Sequence, residues 1–484
     1  NKYILIILSG LLYTSSFSPI NFKLGIFFSL SIFFYTLLFY KRKQAIVLSC
    51  IYGISIFASG VSWIYSSIYN YGGGNLGLSF LMTISFIIFL SLFIAPLGFF
   101  LNKNYKDKSF ATLLIIPSVW VSLELLRSII FGGFPWLIAG HSQEGTIFNM
   151  IYPIAGSYFV SFLICTMSIG IALFFKSELC KANLKNIFIL IVFFNILYFY
   201  NPMWSIDKKD PLKVSILQPN INAGIKYDND KINFIKQKYL SLLSDNITNK
   251  TIILPETAIP IIYERDKNFY NSMLEFDDTN IISGIFHYEA SQNKIYNSML
   301  ILNKNEKFYN KRHLVPFGEY TPLKKFFSYI AKKLNIPMSN LSHGNLNQKP
   351  FLVNDITIHP LICYEVAYSS LIKMTRDYSI IINISNDSWF GNTFAPHQHL
   401  QIAQVRALET AHPIIRAANT GISAIIDKNG LILKEISLDT EGLISGEVYP
   451  SKGISPYMRF GDYPVLVLIF SIMLFYWKRY RKYE

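Results

Sequence analysis

Charge is scarce in this chain, and cysteine scarcer. Only 15% of the 484 residues are charged, against 51% hydrophobic, whereas an ordinary soluble protein carries about 25% charged residues. The shortfall excludes a uniformly soluble protein. It falls in roughly the first two hundred residues and in a short stretch near the C-terminus, and the part between reads as a globular domain. The cysteines, Cys50, Cys165, Cys180 and Cys363, form no CxxC pair and no Cys/His cluster, so neither a disulfide framework nor a structural metal is expected. Internal repeats and low-complexity linkers are also missing. No basic stripe interleaved with aromatics stands out, so the net charge of +14 does not indicate nucleic acid. Many of the basic residues sit in short clusters beside apolar runs, where membrane orientation accounts for them.

What the chain does have is apolar length. Runs of roughly 17–25 apolar residues can cross a bilayer as helices. Eight are read here, near 3–20, 24–40, 45–68, 76–101, 109–131, 147–175, 186–202 and 463–477. The Tyr3–Leu12 run resembles a signal peptide, but no small-residue cleavage site follows and another span comes at once, so it is kept as a helix. Basic residues fall in alternate loops: Lys41-Arg42-Lys43; Lys103, Lys106 and Lys108; Lys176, Lys181 and Lys185; and Lys478 to Lys482. Since cytoplasmic loops collect Lys and Arg, both termini are expected in the cytoplasm and the region 205–455 outside it. The expected organisation is a membrane domain over 1–204, an extracytoplasmic domain over 205–455, and an eighth span with a basic tail over 456–484. A lone thiol, Cys363, facing an oxidising compartment is a liability unless it is used.

Within 205–455, short β-rich runs recur at Lys213–Gln218, Thr251–Pro255, Asn280–Phe286, Tyr296–Leu302, Thr357–Cys363, Ser379–Ser385, Ile422–Asp427 and Leu443–Val448. Helical patterns at Asp230–Leu243 and His397–Ala411 interrupt them, which predicts an α/β layered domain. Three segments there carry chemistry. Glu256 follows an apolar strand in Ile253-Leu254-Pro255-Glu256-Thr257. Lys311 and Glu319 lie around a turn in Tyr309–Glu319. Cys363 ends another strand in Leu361-Ile362-Cys363-Tyr364-Glu365. Layered α/β folds place their sites at such strand ends. A thiol is a weak nucleophile until a base takes its proton, and Glu256 can be that base. Attack on a carbonyl builds negative charge on oxygen, which the Lys311 ammonium and a backbone N–H near Tyr364 can stabilise, with Glu319 orienting the lysine.

Taken singly, each has a plainer reading: Glu256 as a helix N-terminal carboxylate, Lys311 as a solvated surface lysine, Cys363 as a small buried hydrophobe. A Cys–His dyad through His313 is the alternative to Cys–Glu, although the trio needs no histidine, and His141 is the other candidate histidine.

The strings Pro-Glu-Thr, Asn-Lys-x-x-Leu-Val-Pro-Phe-Gly-Glu and Ile-Cys-Tyr-Glu resemble the Glu–Lys–Cys set of the nitrilase superfamily. With eight spans around them, the chain resembles the membrane branch of that superfamily, the apolipoprotein N-acyltransferase family, over nearly its whole length. Ser385–Gly391 and Arg416–Ser423 match as well. The resemblance implies an αββα sandwich on a polytopic helical membrane domain in the bacterial cytoplasmic membrane, with the catalytic domain periplasmic. It implies a phospholipid acyl donor, an acyl-thioester on Cys363 and a diacylglyceryl-modified apolipoprotein acceptor, with no cofactor. Glu256, Lys311 and Cys363 carry over as base, oxyanion stabiliser and nucleophile, and Glu319, Tyr364 and Glu365 as supporting residues. Trp389 and Phe390 are further substrate-binding candidates. Where the family usually has Trp, this chain has Tyr227.

The membrane half adds Glu124 and Arg127, three residues apart on one face of the run 109–131, and Trp136 beyond the Gly132-Gly133 break. They read either as a structural ion pair with an interfacial tryptophan anchor or as a contact to lipid headgroups. Lys324–His343 is a candidate gate. A membrane-anchored nitrilase-type amidase acting on a small amide is the alternative enzyme, although one span would anchor it. A transporter or receptor with a non-catalytic sensor domain is the alternative from another class.

Overall fold

The computed structural model describes residues 1–71, 75–102, 110–176, 202–244, 251–274, 279–303, 305–321, 340–353, 355–372 and 377–480. Almost all of the run 186–202 lies outside them, as do Lys103, Lys106, Lys108, Cys180, Lys181, Lys185 and most of Lys324–His343. The chain divides into two compact units. One comprises Asn1–Tyr65, Leu76–Met203 and Pro456–Glu484, the other Ser66–Asn75 and Trp204–Ser455.

The first unit is helical. Helices Lys2–Thr14, Gly25–Leu37, Arg42–Gly60, Leu76–Ser91, Phe110–Arg127, Tyr152–Phe175 and Tyr463–Tyr480 lie on seven of the apolar runs. Among the described residues, only Arg42–Gly60 and Tyr152–Phe175 are long and apolar enough to cross a membrane. Apart from Tyr463–Tyr480, the other helices are shorter than the runs that predicted them, because hydropathy does not register backbone breakers. Pro19 follows the first helix, Pro96 follows the end at Ser91, and Gly132-Gly133 follow the end at Arg127. Polar side chains join the helices. Ser9 Oγ donates to Ser29 O at 2.7 Å, Ser29 Oγ returns a bond to Ser9 O at 2.6 Å, and the Tyr52 hydroxyl lies 2.6 Å from Ser29 Oγ.

The second unit is a four-layer sandwich. One sheet runs in the order Gly442–Val448, Leu212–Gln218, Thr251–Ile253, Asn280–Glu289, Lys294–Leu302, Glu306–Asn310. In the other, Ile356–Ile362, Ser379–Ser385 and Ile414–Ala418 are parallel neighbours, extended by Phe351–Val353 on one side and by Ser423–Ile426 and Ile432–Ile436 on the other. Val214, Ile253, Ile282 and Met299 from the first sheet share a core with Ile358, Ile380, Ile382 and Ile415 from the second. Helices Ile232–Ser244 and Lys267–Leu274 cover the first sheet's outer face through Ile235, Tyr239 and Tyr270. Helix Ala395–Thr410 packs on the second sheet beside Ile414–Ala418. This is the expected αββα arrangement. The strand Ile414–Ala418 was not anticipated: only Ala411, His412 and Pro413 separate it from the helix.

Candidate active site

Three strand ends converge. Glu256 follows Thr251–Ile253, Lys311 follows Glu306–Asn310, and Cys363 follows Ile356–Ile362 directly. The turn that carries Glu256 is held tightly. Pro255 O accepts from Gly284 N at 3.1 Å, and Ala258 N donates to Gly284 O at 2.8 Å. A Cβ on Gly284 would stand 2.4 Å from Glu256 Cα, so only glycine lets this strand approach. Cys363 adopts φ +51, a left-handed conformation strained for a side chain larger than glycine's and typical of functional turns. All three side chains are buried, and Lys311 is only 1% exposed, so it is not the solvated lysine of the plain reading.

The buried charges meet one another. Lys311 Nζ donates to Glu256 Oε1 at 3.2 Å and to Glu319 Oε1 at 2.9 Å. Asn297 Nδ2 bridges the same two carboxylates at 2.7 Å each, and Asn386 N donates to Glu256 Oε2 at 2.8 Å. Glu319 Oε2 accepts Val315 N at 2.8 Å, which ties the Leu-Val-Pro-Phe-Gly-Glu turn to the lysine it orients. Burial opposes the lysine's charge, but Glu256 and Glu319 outweigh it and hold the ammonium above its ordinary range. Burial, reinforced by Glu256 and partly offset by Lys311, pushes the Cys363 thiol up, so at rest it is protonated. The arrangement therefore holds a neutral thiol, a carboxylate able to receive its proton, and a fixed cation.

Glu365 joins two of these segments. Its Oε1 accepts Arg312 N at 2.7 Å and His313 N at 3.1 Å, and its Oε2 accepts Ile362 N at 2.8 Å and the Tyr309 hydroxyl at 3.0 Å. The lysine loop and the cysteine turn are thus pinned to one carboxylate. Tyr364 packs against His313, with ring centroids 6.0 Å apart, and His313 lies on Tyr368 at 3.8 Å. His313 thus sits in an aromatic cluster, and the charge pairing at the thiol comes from Glu256 and Lys311. Tyr227 faces Trp389 with ring centroids 5.5 Å apart, and its hydroxyl accepts from Asn386 Nδ2 at 3.5 Å. Phe390 is half-buried at the end of the same short turn. Ser67, from the segment that clusters with the sandwich, donates to Trp389 O at 2.8 Å.

Glu124, Arg127 and Trp136 belong to the helical unit and form a separate cluster. Glu124 Oε1 accepts Trp120 Nε1 at 2.9 Å and Ala139 N at 2.8 Å, and Arg127 Nη1 donates to Phe134 O at 2.8 Å and Trp136 O at 2.5 Å. Trp136 is 1% exposed and packs on Trp63 and Phe134, which replaces the interfacial-anchor reading with a core one. His141 is buried in this unit as well.

Sequence reasoning missed Asn297, Lys226 and His399. Lys226 is fully buried and donates to Glu256 O at 2.9 Å. That burial brings its ammonium down to about 7, with Glu256 pulling the other way. Lys226 stands beside Tyr227, a position already singled out, so its signal was available. Asn297 lies in a strand without any motif.

Comparison with known proteins matches both units. Residues 9–170 match the apolipoprotein N-acyltransferase N-terminal domain, and residues 213–454 match carbon-nitrogen hydrolase. The apolipoprotein N-acyltransferase of Coxiella burnetii is 33% identical, covering 98% of this chain and 99% of its own. Those of Methylococcus capsulatus and Haemophilus influenzae are 31% and 30% identical over 97% and 98% of this chain. With both of its units matched and relatives of this identity running end to end, the chain belongs to the apolipoprotein N-acyltransferase family.

Proposed function

We propose that this protein moves a fatty acyl chain from a phospholipid, through a thioester on Cys363, to the α-amino group of the diacylglyceryl-cysteine of an apolipoprotein. The observation that carries the reading is the buried Lys311 held between Glu256 and Glu319 at the strand end beside the Cys363 turn. In the first half-reaction Glu256 takes the thiol proton and Sγ attacks the ester carbonyl carbon. The carbonyl electrons go to oxygen, which Lys311 and the Tyr364 backbone N–H stabilise. Collapse breaks the ester C–O bond, and Glu256 returns the proton to the departing lysophospholipid. In the second, the acceptor amine attacks the thioester, Glu256 takes its proton, and the thiolate leaves and is reprotonated. Glu365 holds the lysine and cysteine segments in register, and Tyr227, Trp389 and Phe390 line the approach to Glu256.

The helical part serves this chemistry, because acyl chains drawn into water cost about 0.8 kcal/mol per CH₂. We place eight spans in it, with both termini cytoplasmic and 205–455 periplasmic, on the alternation of basic loops. Glu124, Arg127 and Trp136 belong to this part as buried residues that shape the chain after the Phe110–Arg127 helix. A small-amide hydrolase would leave residues 9–170 without a task.

Mass spectrometry of the purified full chain after incubation with phospholipid, without acceptor, should show one acyl adduct, on Cys363. Its absence, or an adduct that persists in Cys363→Ala, rejects the thioester. Membrane-impermeant alkylation of single cysteines introduced at Asn70 and at Lys41 tests the topology, with labelling from the periplasm expected only at Asn70.

A further inference from the structure

Behind the nucleophile lies a second buried charge cluster that the acid–base chemistry does not use. Asp387, His399 and Arg416 are each no more than 1% exposed, and Asn383 is fully buried among them. They come from four places: the strand Ser379–Ser385, the turn after it, the helix Ala395–Thr410 and the strand Ile414–Ala418. Arg416 Nη2 donates to Asp387 Oδ2 at 2.6 Å and lies 2.9 Å from His399 Nδ1, and Nη1 donates to Asn383 Oδ1. Asp387 Oδ1 also accepts Ser385 Oγ at 2.7 Å and stands 3.1 Å from His399 Nδ1. A Cβ on Gly421 would come within 2.3 Å of Asp387 Oδ2, so the bare glycine makes room for this carboxylate.

Both uncharged members of the cluster turn toward one atom. His399 Nε2 lies 3.2 Å from the carbonyl oxygen of Cys363, and Asn383 Nδ2 donates to the same oxygen at 3.3 Å. A carbonyl only accepts, so His399 carries a proton on Nε2. Arg416 fixes the second donor, because occupying Asn383 Oδ1 leaves Nδ2 to face Cys363. A trans peptide is planar, and its C=O and the following N–H point in opposite directions. Holding the Cys363 carbonyl therefore sets the direction of the Tyr364 N–H, and does so in a turn whose φ of +51 would otherwise relax.

We infer that His399, with Asn383 and under the control of Arg416 and Asp387, is a positioning residue for acyl transfer: it aims the backbone N–H that receives the oxyanion by anchoring the carbonyl of the nucleophile. The inference rests on the thioester reading above. Since an oxyanion forms in both half-reactions, a misaimed donor slows both.

The test uses His399→Asn, whose amide is too short to reach the Nε2 position, and His399→Gln, whose amide reaches it. Both are made in the full chain, in detergent with added phospholipid. Thioester formation is timed in a single turnover, and its consumption is timed after adding a diacylglyceryl-cysteine peptide. His399→Asn should slow both steps by a similar factor, about 10- to 100-fold, with KM for phospholipid within about 2-fold of the parent. His399→Gln should recover to within about 5-fold. Parental rates in His399→Asn, a loss confined to KM or to one step, or no difference between Asn and Gln would overturn the inference. If His399→Asn does not fold, Asn383→Asp decides. It keeps the contact to Arg416 but sets an acceptor against the Cys363 carbonyl, and it should slow both steps alike, whereas parental rates reject the inference. A parent chain that forms no thioester removes the Cys363 reading itself, whereas a parent that forms one as fast as its variants removes only the role of His399.

Discussion

Both units bury carboxylates and cations, and they neutralise them differently. Beside the thiol of the sandwich, charge meets charge: the Lys311 ammonium lies between Glu256 and Glu319, at 3.2 and 2.9 Å. In the helical unit, charge meets dipoles. Glu124 takes an indole N–H and a backbone N–H, and Arg127 gives its protons to two backbone carbonyls and lies 5.3 Å from the Phe57 ring centroid. A proton can move within the first arrangement, because a second charge stands ready to balance the one created. The second ties the segment 134–139 to the helix before it. Buried charge alone therefore does not mark an active site; its pairing with an ionisable partner at a nucleophile does.

The largest effect expected from this contrast is on rate. Glu256→Gln removes the proton acceptor and leaves one oxygen where Asn297 Nδ2 and Asn386 N bond two, so its amide NH₂ must face a donor. Thioester formation should fall by about 10²–10⁴-fold, with a loss of about 1–2 kcal/mol in stability beside it. Lys311→Met should cost about 10²–10³-fold in the same assay. A Glu256→Gln chain that acylates at the parental rate would remove the carboxylate from the mechanism. Glu365→Gln should weigh more on stability. Three backbone N–H groups and a tyrosine hydroxyl converge on its two oxygens, so an amide NH₂ must face a donor. A loss of about 3 kcal/mol in stability is expected along with the rate, measured by thermal unfolding in detergent.

A third expectation concerns buried groups that stay neutral. Burial depresses His359 to about 3, helped by His412 and Arg312, and depresses His412 to about 4 against its bonds to Thr410 and Ser451. Both values lie below the ordinary 6.5, so in the window between them the unfolded chain binds more protons than the folded one. Their contribution is complete above 6.5 and is lost as pH falls through that window. Each should remove about 2 kcal/mol between pH 7 and 5, and His359→Asn should flatten the acid limb of a stability-against-pH curve. An unchanged limb in that variant would show that His359 is not buried neutral.

What could be read from sequence follows the same division. The meeting of Glu256, Lys311 and Cys363 was legible because each sits in a compact string at a strand end, where apolar residues give way to Pro-Glu-Thr or Cys-Tyr-Glu. The deep burial of Lys311 was not, because Lys-Arg-His reads locally as a solvated cluster and only the two glutamates brought in by folding explain it. Asn297, Lys226 and His399 act on segments 30 or more residues away, through bonds such as Lys226 Nζ to Glu256 O and His399 Nε2 to Cys363 O, and no local pattern announces such pairs. The seven apolar runs among the described residues were legible as helices but not in their ends, which Pro96 and Gly132-Gly133 set. Trp136 was misplaced because an aromatic after a helix break looks the same in sequence whether it faces lipid headgroups or, as here, Trp63.

The smallest effect tests the other side of the contrast. Glu124 Oε1 accepts from Trp120 Nε1 and Ala139 N, and a glutamine oxygen accepts equally well. Glu124→Gln should therefore change stability by less than about 1 kcal/mol, as for replacing one neutral hydrogen bond by another. Its thioester rate, per folded molecule, should stay within about 2-fold of the parent, since no proton moves through Glu124. Arg127→Gln should cost more in stability, because the shorter side chain does not carry its NH₂ to where Nη1 meets the Phe134 and Trp136 carbonyls, yet it too should leave the chemical step alone. If instead Glu124→Gln slowed thioester formation as strongly as Glu256→Gln does, the helical cluster would carry a proton in turnover. Burial against dipoles would then no longer separate the charges that build the chain from those that react.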